Sequence, residues 1–465
     1  MAGMKMILRA LAGAALAGAA LGAISAPAAT PTPFAAPAKG SRAVYRNVAL
    51  IDGTGGPLRR GMAIVMDGDR ITDVVADRDL PAAALAGADV VDLKGQYVVP
   101  GLIDTHVHIA TPPDRVRAEA VLRRNLYGGV TAIRDMADDL RSVAEITRAS
   151  RLGEIAAPDI YFAALMAGPS FFDDKRTWAV SKGVTPGAVP WMQAITDDTD
   201  MPLAVAMSRG TGATAIKAYA NMPGRTVAAI VAEAHRQHFP VWAHGAIFPA
   251  SPAEVIGAGV DVVSHVCYLA YQVSDSVPAS YQQRVPVAYD RLAKGDNPVI
   301  GGLFRQMAQH GQILDATGRV YLEYDERAAA NPAKPPLCTA DLAARLIDQA
   351  RRAGVEISTG TDGTNAADKP WPELHDELAF LVERAKMTPA QVIRSATLVG
   401  ARAAGQEKDM GSIEAGKLGN FVVLARNPLE NIRNIDSIVM TVKRGHAFPR
   451  TDFKPLTKDE LGDEE

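Results

Sequence analysis

The stretch GLIDTHVH, residues 101–108, decides the fold. It is an apolar run that ends in two histidines separated by one residue. A β-strand alternates its side chains between two faces, so His106 and His108 point to the same face. Histidines are common metal ligands, so the run predicts a buried strand that carries two candidate ligands at its carboxyl end.

Seven further runs share this apolar character, and helical periodicity separates most of them, as in residues 226–238 and 340–353. Eight strands that alternate with helices over residues 98–410 predict an α/β fold of the (β/α)8 TIM-barrel type. A doubly wound open sheet is the alternative, but no glycine-rich phosphate turn follows the first strand. The seven runs are VTAIRDM, DIYFAAL, ATAIKAY, PVWAHG, DVVSHVC, QILDAT and EISTGTD.

Short β-type runs separated by Gly, Asp and Pro turns flank the predicted barrel on both sides. They occupy residues 43–97 and 411–450. We therefore predict a small β-sandwich domain formed by the N- and C-terminal segments, followed by a tail over residues 451–465.

The first residues resemble an export signal. Lys5 and Arg9 precede an apolar run over residues 10–24, and Ala-Pro-Ala at 26–28 offers a small-x-small cleavage site. We predict a signal peptide over residues 1–28, with a buried or membrane-anchoring helix as the alternative. Residues 29–42 then form a flexible Pro/Ala-rich tether, and the expected location is the periplasm or outside the cell, with no stable membrane anchor.

Composition excludes several classes of protein. The chain has 49 Lys and Arg residues against 52 Asp and Glu, which gives a net charge of −3. Because it has no basic tail or stripe, a nucleic-acid partner is not expected. The two cysteines, Cys267 and Cys338, argue against a disulfide framework and against a cysteine-based zinc module. Cys267 is expected to be a small core residue.

Four more of the predicted strands carry a candidate metal-binding or catalytic residue. Lys217 lies within an apolar strand, where an unpaired ammonium is costly. His244, His265 and Asp362 end three later runs. Any one of them alone is usually an ordinary core or surface residue, but their shared position at strand ends indicates a common site.

Taken together, these motifs resemble the amidohydrolase superfamily of metal-dependent hydrolases, in its imidazolonepropionase-like and prolidase-like branch. The closing stretches are similar too: Met-Thr-Pro-Ala-Gln at 387–391, Ala-Thr at 396–397, and Gly-Ser-Ile-Glu-Ala-Gly-Lys at 411–417. The resemblance covers about residues 44–447.

The resemblance implies two divalent metal ions, with zinc expected because imidazole and carboxylate ligands suit it. One ion would be held by His106, His108 and Asp362, and the other by His244 and His265. Lys217 would be carboxylated on its amine to N6-carboxylysine and would bridge both ions. An unmodified Lys217 beside a single metal is the alternative. Asp362 is the expected general base, and with Lys217 it forms the catalytic pair.

The implied activity is cleavage of an amide (C–N) bond by metal-activated hydroxide. The small carbonyl substrate would be an N-acyl amino acid, a dipeptide-like compound or a cyclic amide. No acid lies in residues 244–249, which argues against deamination. The alternatives are a mononuclear imidazolonepropionase-like hydrolase, a lactonase and a non-catalytic binding protein on the same fold.

Substrate contacts are predicted at four positions. Tyr219 lies two residues after Lys217, Tyr268 follows His265, Arg134 could bind a substrate carboxylate or pair with a buried acid, and His375 opens a helix. Residues 270–309 form either a lid over the site or a surface insertion. The sequence leaves homo-oligomer formation open.

Overall fold

A computed structural model of the chain describes residues 32–293, 295–363 and 365–462. The predicted signal peptide and the first three residues of the predicted tether lie outside these ranges. No helix among the described residues is both long enough and apolar enough to cross a membrane.

In the described residues the strands are, in chain order, β1 (Arg42–Leu50), β2 (Arg59–Asp67), β3 (Arg70–Ala76), β4 (Asp89–Asp92), β5 (Tyr97–Pro100), β6 (Leu102–Val107), β7 (Val130–Asp135), β8 (Asp159–Ala167), β9 (Ala188–Val189), β10 (Met192–Ala194), β11 (Ala215–Ala218), β12 (Val241–His244), β13 (Val262–Ser264), β14 (Ile313–Asp315), β15 (Glu356–Ser358), β16 (Phe421–Leu424), β17 (Ile438–Lys443) and β18 (His446–Pro449).

The α-helices of the same residues are α1 (Ala82–Leu85), α2 (Arg115–Tyr127), α3 (Leu140–Arg151), α4 (Lys175–Ala179), α5 (Met201–Gly210), α6 (Gly224–Arg236), α7 (Pro252–Gly257), α8 (Tyr289–Leu292), α9 (Pro298–His310), α10 (Val320–Ala330), α11 (Ala340–Arg352), α12 (Leu374–Glu383), α13 (Pro389–Arg394), α14 (Gly400–Ala403) and α15 (Lys458–Leu461). Shorter 3-10 turns occupy Asp77–Asp79, Pro169–Asp173, Val266–Val273, Tyr281–Gln283, Ile432–Asp436 and Arg450–Asp452, and a π-helical turn covers Ser395–Val399.

Eight parallel strands form a barrel. Strands β6, β7, β8 and β11 to β15 pair in chain order, and the hairpin β9–β10 extends the sheet beside β8. The last strand returns to the first: the Thr105 N–H donates to the Thr359 carbonyl and the Asp362 N–H to the His106 carbonyl, both at 2.9 Å. The ring therefore closes, which confirms the TIM barrel and excludes the open sheet.

The apolar character of the strands follows from their burial on both faces. Every residue of β6, β7 and β8 is buried, because helices cover the outside of a parallel barrel and side chains fill its inside. The outer helices are amphipathic. In α11, Leu342, Leu346 and Ile347 face the core, and the Thr339 side chain accepts the Leu342 N–H as an N-cap.

A second domain is built from both ends of the chain, as predicted. Its strand order is β18-β17-β16-β5-β1-β2-β3, with β4 beside β1. N-terminal β5 pairs with C-terminal β16, where Val99 lies opposite Val422. A buried cluster that includes Tyr45, Ile64 and Phe421 forms its core.

Both chain ends of the described structure contact the body. The Phe34 N–H donates to the Gly153 carbonyl at 2.9 Å, and the Phe34 ring stacks on Phe448, so this part of the predicted tether is attached to the protein. In the predicted tail, Leu461 of α15 is buried against Ala120 of α2.

Candidate metal centre and substrate cavity

The predicted ligands meet at the carboxyl-terminal mouth of the barrel, where barrel enzymes place their active sites. His106 is the penultimate residue of β6, His244 ends β12 and His265 follows β13, while Asp362 lies four residues after β15. These residues and His108 line one cavity of about 270 Å³. We call the set formed by these residues and Lys217 the floor of the cavity: His106, His108, Lys217, His244, His265 and Asp362.

Three floor residues form the tightest cluster. Nε2 of His106 and Nε2 of His108 each lie 3.6 Å from Oδ1 of Asp362, and the candidate ligand atoms of these residues all fall within 4.8 Å of one another. On the other side, Nδ1 of His265 lies 3.8 Å from Oδ2 of Asp362. The His244 and His265 ring centroids are 4.8 Å apart, so the histidines continue around the cavity.

Three of the floor histidines have a second partner that fixes the ring. His106 Nδ1 lies 2.8 Å from Asp315, and His108 Nδ1 lies 2.7 Å from Asp138. These bonds leave both Nε2 atoms directed at Asp362. Such outer partners set the tautomer and orientation of metal-ligating histidines. His265 has the corresponding contact with the Thr317 hydroxyl, at 2.9 Å.

Asp315, at the end of β14, is the largest hub beneath the floor. Besides His106, its carboxylate accepts hydrogen bonds from Thr105 at 2.8 Å and Ser264 at 3.0 Å, and it pairs with Arg134 at 3.3 Å. Sequence reasoning missed this residue. The signal was present, because the run QILDAT also ends in an acid at a strand terminus.

Lys217 lies in β11 with its Nζ completely buried, and no described residue accepts a hydrogen bond from it. Burial lowers the pKa of Lys217 to about 7, although Asp315 and Asp362 act in the opposite direction. His244 Nδ1 is likewise buried without a hydrogen-bond partner among the described residues. Buried polar atoms are rarely left unpaired, so both atoms indicate a missing partner.

Burial also decides the charge of the histidines. It lowers the pKa of His106, His244 and His265 well below the usual value, so these imidazoles are neutral near pH 7. His108 differs, because the charge and hydrogen bond of Asp138 outweigh burial and raise its pKa to about 9. Neutral imidazoles are the form that binds metals.

The donor set therefore fits divalent metal ions. It combines three neutral imidazoles, the imidazole of His108, which a bound cation would deprotonate, and the carboxylate of Asp362. Two buried nitrogen atoms, Lys217 Nζ and His244 Nδ1, have no hydrogen-bond partner among the described residues. Nitrogen and oxygen ligands of this kind suit zinc and neighbouring first-row metals.

Comparison with known proteins agrees with this geometry. The sequence model of the amidohydrolase family matches residues 97–448 of the chain. The chain belongs to the amidohydrolase family. It is thus a hydrolase, in a superfamily that depends on metal ions.

Two relatives differ in how much of the chain they match and in their sequence identity to it. Imidazolonepropionase from Anaeromyxobacter sp. (strain K) is 34% identical over 128 residues, which cover 25% of this chain and only 27% of that protein. Ochratoxinase from Aspergillus niger is 26% identical over 464 aligned positions, which cover 88% of this chain and 87% of that protein.

Solved structures share the fold. The A. niger ochratoxinase structure superposes with a TM-score of 0.68 at 22% identity, covering 88% of this chain and 96% of its own. A Xaa-Pro dipeptidase with bound methionine in its active site gives 0.67 at 21% identity, covering 88% of this chain and 100% of its own.

Several turns that follow barrel strands have unusual backbone conformations. His265, Thr317 and Asp362 follow barrel strands and have φ values of 67°, 47° and 52°, and Asn221 and Phe248 also have positive φ. Non-glycine residues avoid this left-handed region, and those found there cluster at functional sites. The turns thus direct His265 and Asp362 into the cavity.

Two predicted substrate residues lie elsewhere. Arg134 is fully buried below the floor, where it pairs with Asp315 and stacks on Trp242, with its guanidinium carbon 4.2 Å from the ring centroid. His375 lies behind the barrel, bonded to Asp436 at 2.7 Å and to the Gly128 carbonyl at 2.8 Å. Both therefore have structural partners, and neither lines the cavity.

Tyr219 and Tyr268 do line the cavity, and further residues that the sequence did not single out join them. We call this aromatic and cationic part of the cavity the outer wall: Phe171, Arg176, Tyr219, Tyr268, Tyr281 and Arg284. Within segment 270–309, Tyr271, Tyr281, Arg284 and Val287 line the cavity, and α9 is the helix that connects barrel strands β13 and β14. The lid stays a prediction.

The two cysteines form a disulfide. Cys267 and Cys338 are bonded across 71 residues and both line the cavity, so Cys267 is not a simple core residue. One bond is not a disulfide framework, but the pairing was missed because their positions 71 residues apart gave no indication that they meet.

Proposed function

We propose that the protein is a binuclear, metal-dependent amidohydrolase that cleaves an amide bond in a small carbonyl substrate. The observation that carries the proposal is the floor itself, in which five potential ligands line one cavity. The Nζ of Lys217 is buried beside them, where its charge acts on His244 and Asp362, and no described residue accepts a hydrogen bond from it. N-acyl amino acids, dipeptide-like compounds and cyclic amides are the substrates we expect.

His106, His108 and Asp362 would hold one ion, and His244 and His265 the second. Lys217, carboxylated on its amine, would supply oxygen ligands to both, which replaces a buried amine by an anionic group that cations stabilise. When bound, the metals would make a water molecule more acidic and polarise the substrate carbonyl.

The chain's own residues supply the proton transfers. Asp362 is half-buried, and its partial removal from water raises the pKa of its carboxyl, although His108 and Lys217 oppose the shift. A carboxylate with a raised pKa is a better general base near neutral pH. Asp362 accepts a proton from the attacking water and delivers it to the leaving nitrogen as the C–N bond breaks.

The rest of the cavity suits a small substrate with an apolar part. Leu165, Phe171 and Met192 line one side, and Tyr271, Val287 and Leu337 line another. Apolar walls with a few polar groups are typical of small-molecule sites. An acyl group or an amino-acid side chain would pack here while the amide lies over the floor.

A mononuclear hydrolase or lactonase is the second candidate. It is favoured by one observation: only His106, His108 and Asp362, among the described residues, form a compact three-ligand cluster. That cluster alone could hold one ion, with Lys217 unmodified.

Metal content per chain distinguishes the candidates. Protein purified without chelators, in bicarbonate and zinc, should contain about two ions per chain and hydrolyse members of an amide panel. Lys217→Ala should lose one ion and most of the activity. One ion in the wild type, unaffected by this change and accompanied by preferential lactone hydrolysis, would favour the mononuclear candidate. No metal uptake would contradict both.

We also propose that the protein is exported to the periplasm or beyond, after removal of residues 1–28. The Cys267–Cys338 bond supports this, because disulfides persist mainly in oxidising compartments. Mass spectrometry of the native protein should give an N-terminus near Ala29 and no free thiol. An intact leader with two free thiols would contradict export.

A further inference from the structure

We propose that Arg284 docks a carboxylate of the substrate, so that the enzyme prefers amides that carry a carboxylate close to the scissile bond. This inference rests on the proposed amide hydrolysis and specifies its substrate class. It gives Arg284 the role that the sequence suggested for Arg134, which the structure places below the floor.

The side chain of Arg284 is held in a defined orientation. Its Nε donates to the Tyr281 carbonyl at 2.8 Å, its Nη1 donates to the Tyr268 hydroxyl, and its guanidinium carbon lies 3.6 Å from the Tyr281 ring centroid. These contacts occupy Nε, one hydrogen of Nη1 and one face of the guanidinium. No described residue accepts a hydrogen bond from Nη2, so a donor is available on a group that lines the cavity.

The charge of Arg284 is not neutralised by the protein. Among the residues that the structure describes, no carboxylate lies within 4.0 Å of it. The other arginine of the outer wall, Arg176, differs in this respect, because its Nη2 lies 2.7 Å from Asp174. A half-buried arginine without an acid is an unusual arrangement, since cations removed from water are normally paired.

Arg284 is also close to the reaction centre. Tyr268 and Tyr281, which contact it, both stack on His244, with ring centroids 5.0 and 5.9 Å away. One aromatic ring therefore separates the guanidinium from the floor. A carboxylate at Arg284 would belong to the same small molecule as the amide over the floor.

The turn that carries Arg284 is fixed to the barrel. Asn221, which follows β11, accepts the Tyr281 N–H at 2.8 Å and donates to Ser170 and Gln282. The Tyr271 hydroxyl donates to the Val285 carbonyl. These bonds pre-organise the site, so little ordering is required when the anion binds. A planar guanidinium is well suited to a carboxylate.

The test compares two substrates that differ only in the carboxylate: N-acetylphenylalanine and N-acetylphenethylamine. Hydrogen bonds to charged groups contribute about 1.5–3 kcal/mol, so the wild type should favour the acid about 10- to 100-fold in kcat/KM. Arg284→Gln should abolish this preference, mainly by raising the KM of the acid. Arg284→Lys should restore part of it.

Arg291→Gln is the matched control, because Arg291 lies in the same segment, pairs with Asp275 and does not line the cavity. It should keep the preference. An unchanged preference in Arg284→Gln, or no preference in an active wild type, would overturn the inference and leave amide hydrolysis intact.

Binding decides the matter if neither amide is hydrolysed or the variant folds poorly. Calorimetry with 3-phenylpropionate and with 3-phenylpropanamide on the zinc-loaded proteins should show tighter binding of the acid in the wild type and in Arg291→Gln, and a smaller difference in Arg284→Lys. The comparison of variants is required because zinc itself also binds carboxylates. Equal affinities would overturn the carboxylate site. Failure of hydrolysis with tighter binding of the acid would count against the proposed function alone.

Discussion

The floor of the cavity and its outer wall come from different parts of the chain and are stabilised differently. Floor side chains lie at or just after barrel strands, and three histidines have partners of their own beneath the cavity. Outer-wall side chains come mainly from the connections, and aromatic stacking and bonds between loops hold them. The floor therefore has a fixed spacing set by the barrel, whereas the wall depends on the loops.

This contrast separates chemistry from selectivity. A change in a floor residue or its partner should alter metal binding and the reaction for every substrate. A change in the outer wall should alter the relative rates of different substrates while metal content stays constant. The following experiments examine whether the two regions can be separated in this way.

The largest effect is expected at Asp362. Asp362→Asn removes the proton acceptor and should reduce kcat about 10²- to 10⁴-fold with a folded protein, as for the loss of a general base. Asp198→Asn, at an exposed acid far from the cavity ligands, serves as the control and should retain full activity. Comparable kcat values for Asp362→Asn and the wild type would contradict the assigned role.

Next comes Asp315, the hub beneath the floor. Asp315→Asn should weaken metal binding about 10- to 100-fold, because His106 loses its orienting partner. It should also lower the free energy of unfolding by about 3–5 kcal/mol, because Arg134 is left as an unpaired buried charge. Metal titration and denaturant unfolding measure the two effects. Unaltered metal affinity would show that the floor does not need this hub.

The disulfide should stabilise the connection between floor and wall. Replacing both cysteines, in Cys267→Ala/Cys338→Ala, should lower the free energy of unfolding by about 2–4 kcal/mol. The main reason is that the unfolded chain gains conformational entropy when the crosslink is absent. Thermal unfolding with and without reductant measures it. Reductant should affect the wild type and leave the double variant unchanged. Equal stabilities of the two proteins would argue that the bond does not form.

The last effect is confined to metal-free protein and concerns Lys217. Its pKa of about 7 in the fold lies below the usual 10.4 of lysine, so the unfolded chain binds more protons between these values. Wild-type stability should thus rise with pH over that window. Lys217→Met should be more stable than the wild type near pH 6–7 by a few kcal/mol, at about 1.4 kcal/mol per pKa unit, and the advantage should shrink toward pH 10. A difference that does not change with pH would contradict a lowered pKa of Lys217 in the folded protein.

The sequence predicts the floor well because strand periodicity and strand ends are local signals. HxH places two histidines on one face, and the repeated pattern places His244 and His265 at the same mouth. Asp315 carried the same signal, but its role depends on meeting His106 across the barrel. Arg134 shows what strand periodicity does not determine. The sequence correctly placed it on a barrel strand, but the alternation of side chains did not show whether it points into the cavity or toward a buried acid.

The outer wall could not be predicted in the same way. Arg284 and Tyr281 lie in a long connection without periodicity, and their positions depend on Asn221 and on ring stacking. The Cys267–Cys338 pair joins segments 71 residues apart. Such contacts are consequences of the closed barrel, and single-sequence patterns do not contain them.

The sheet shared by the two chain ends has a consequence for biosynthesis. Strand β5 finds its partner β16 only after more than three hundred further residues have been made. Until then the ribosome-bound chain exposes an unpaired strand edge, which is prone to association with other chains. Folding of this domain must therefore follow completion of the polypeptide, and any truncation before Phe421 would leave the edge permanently open.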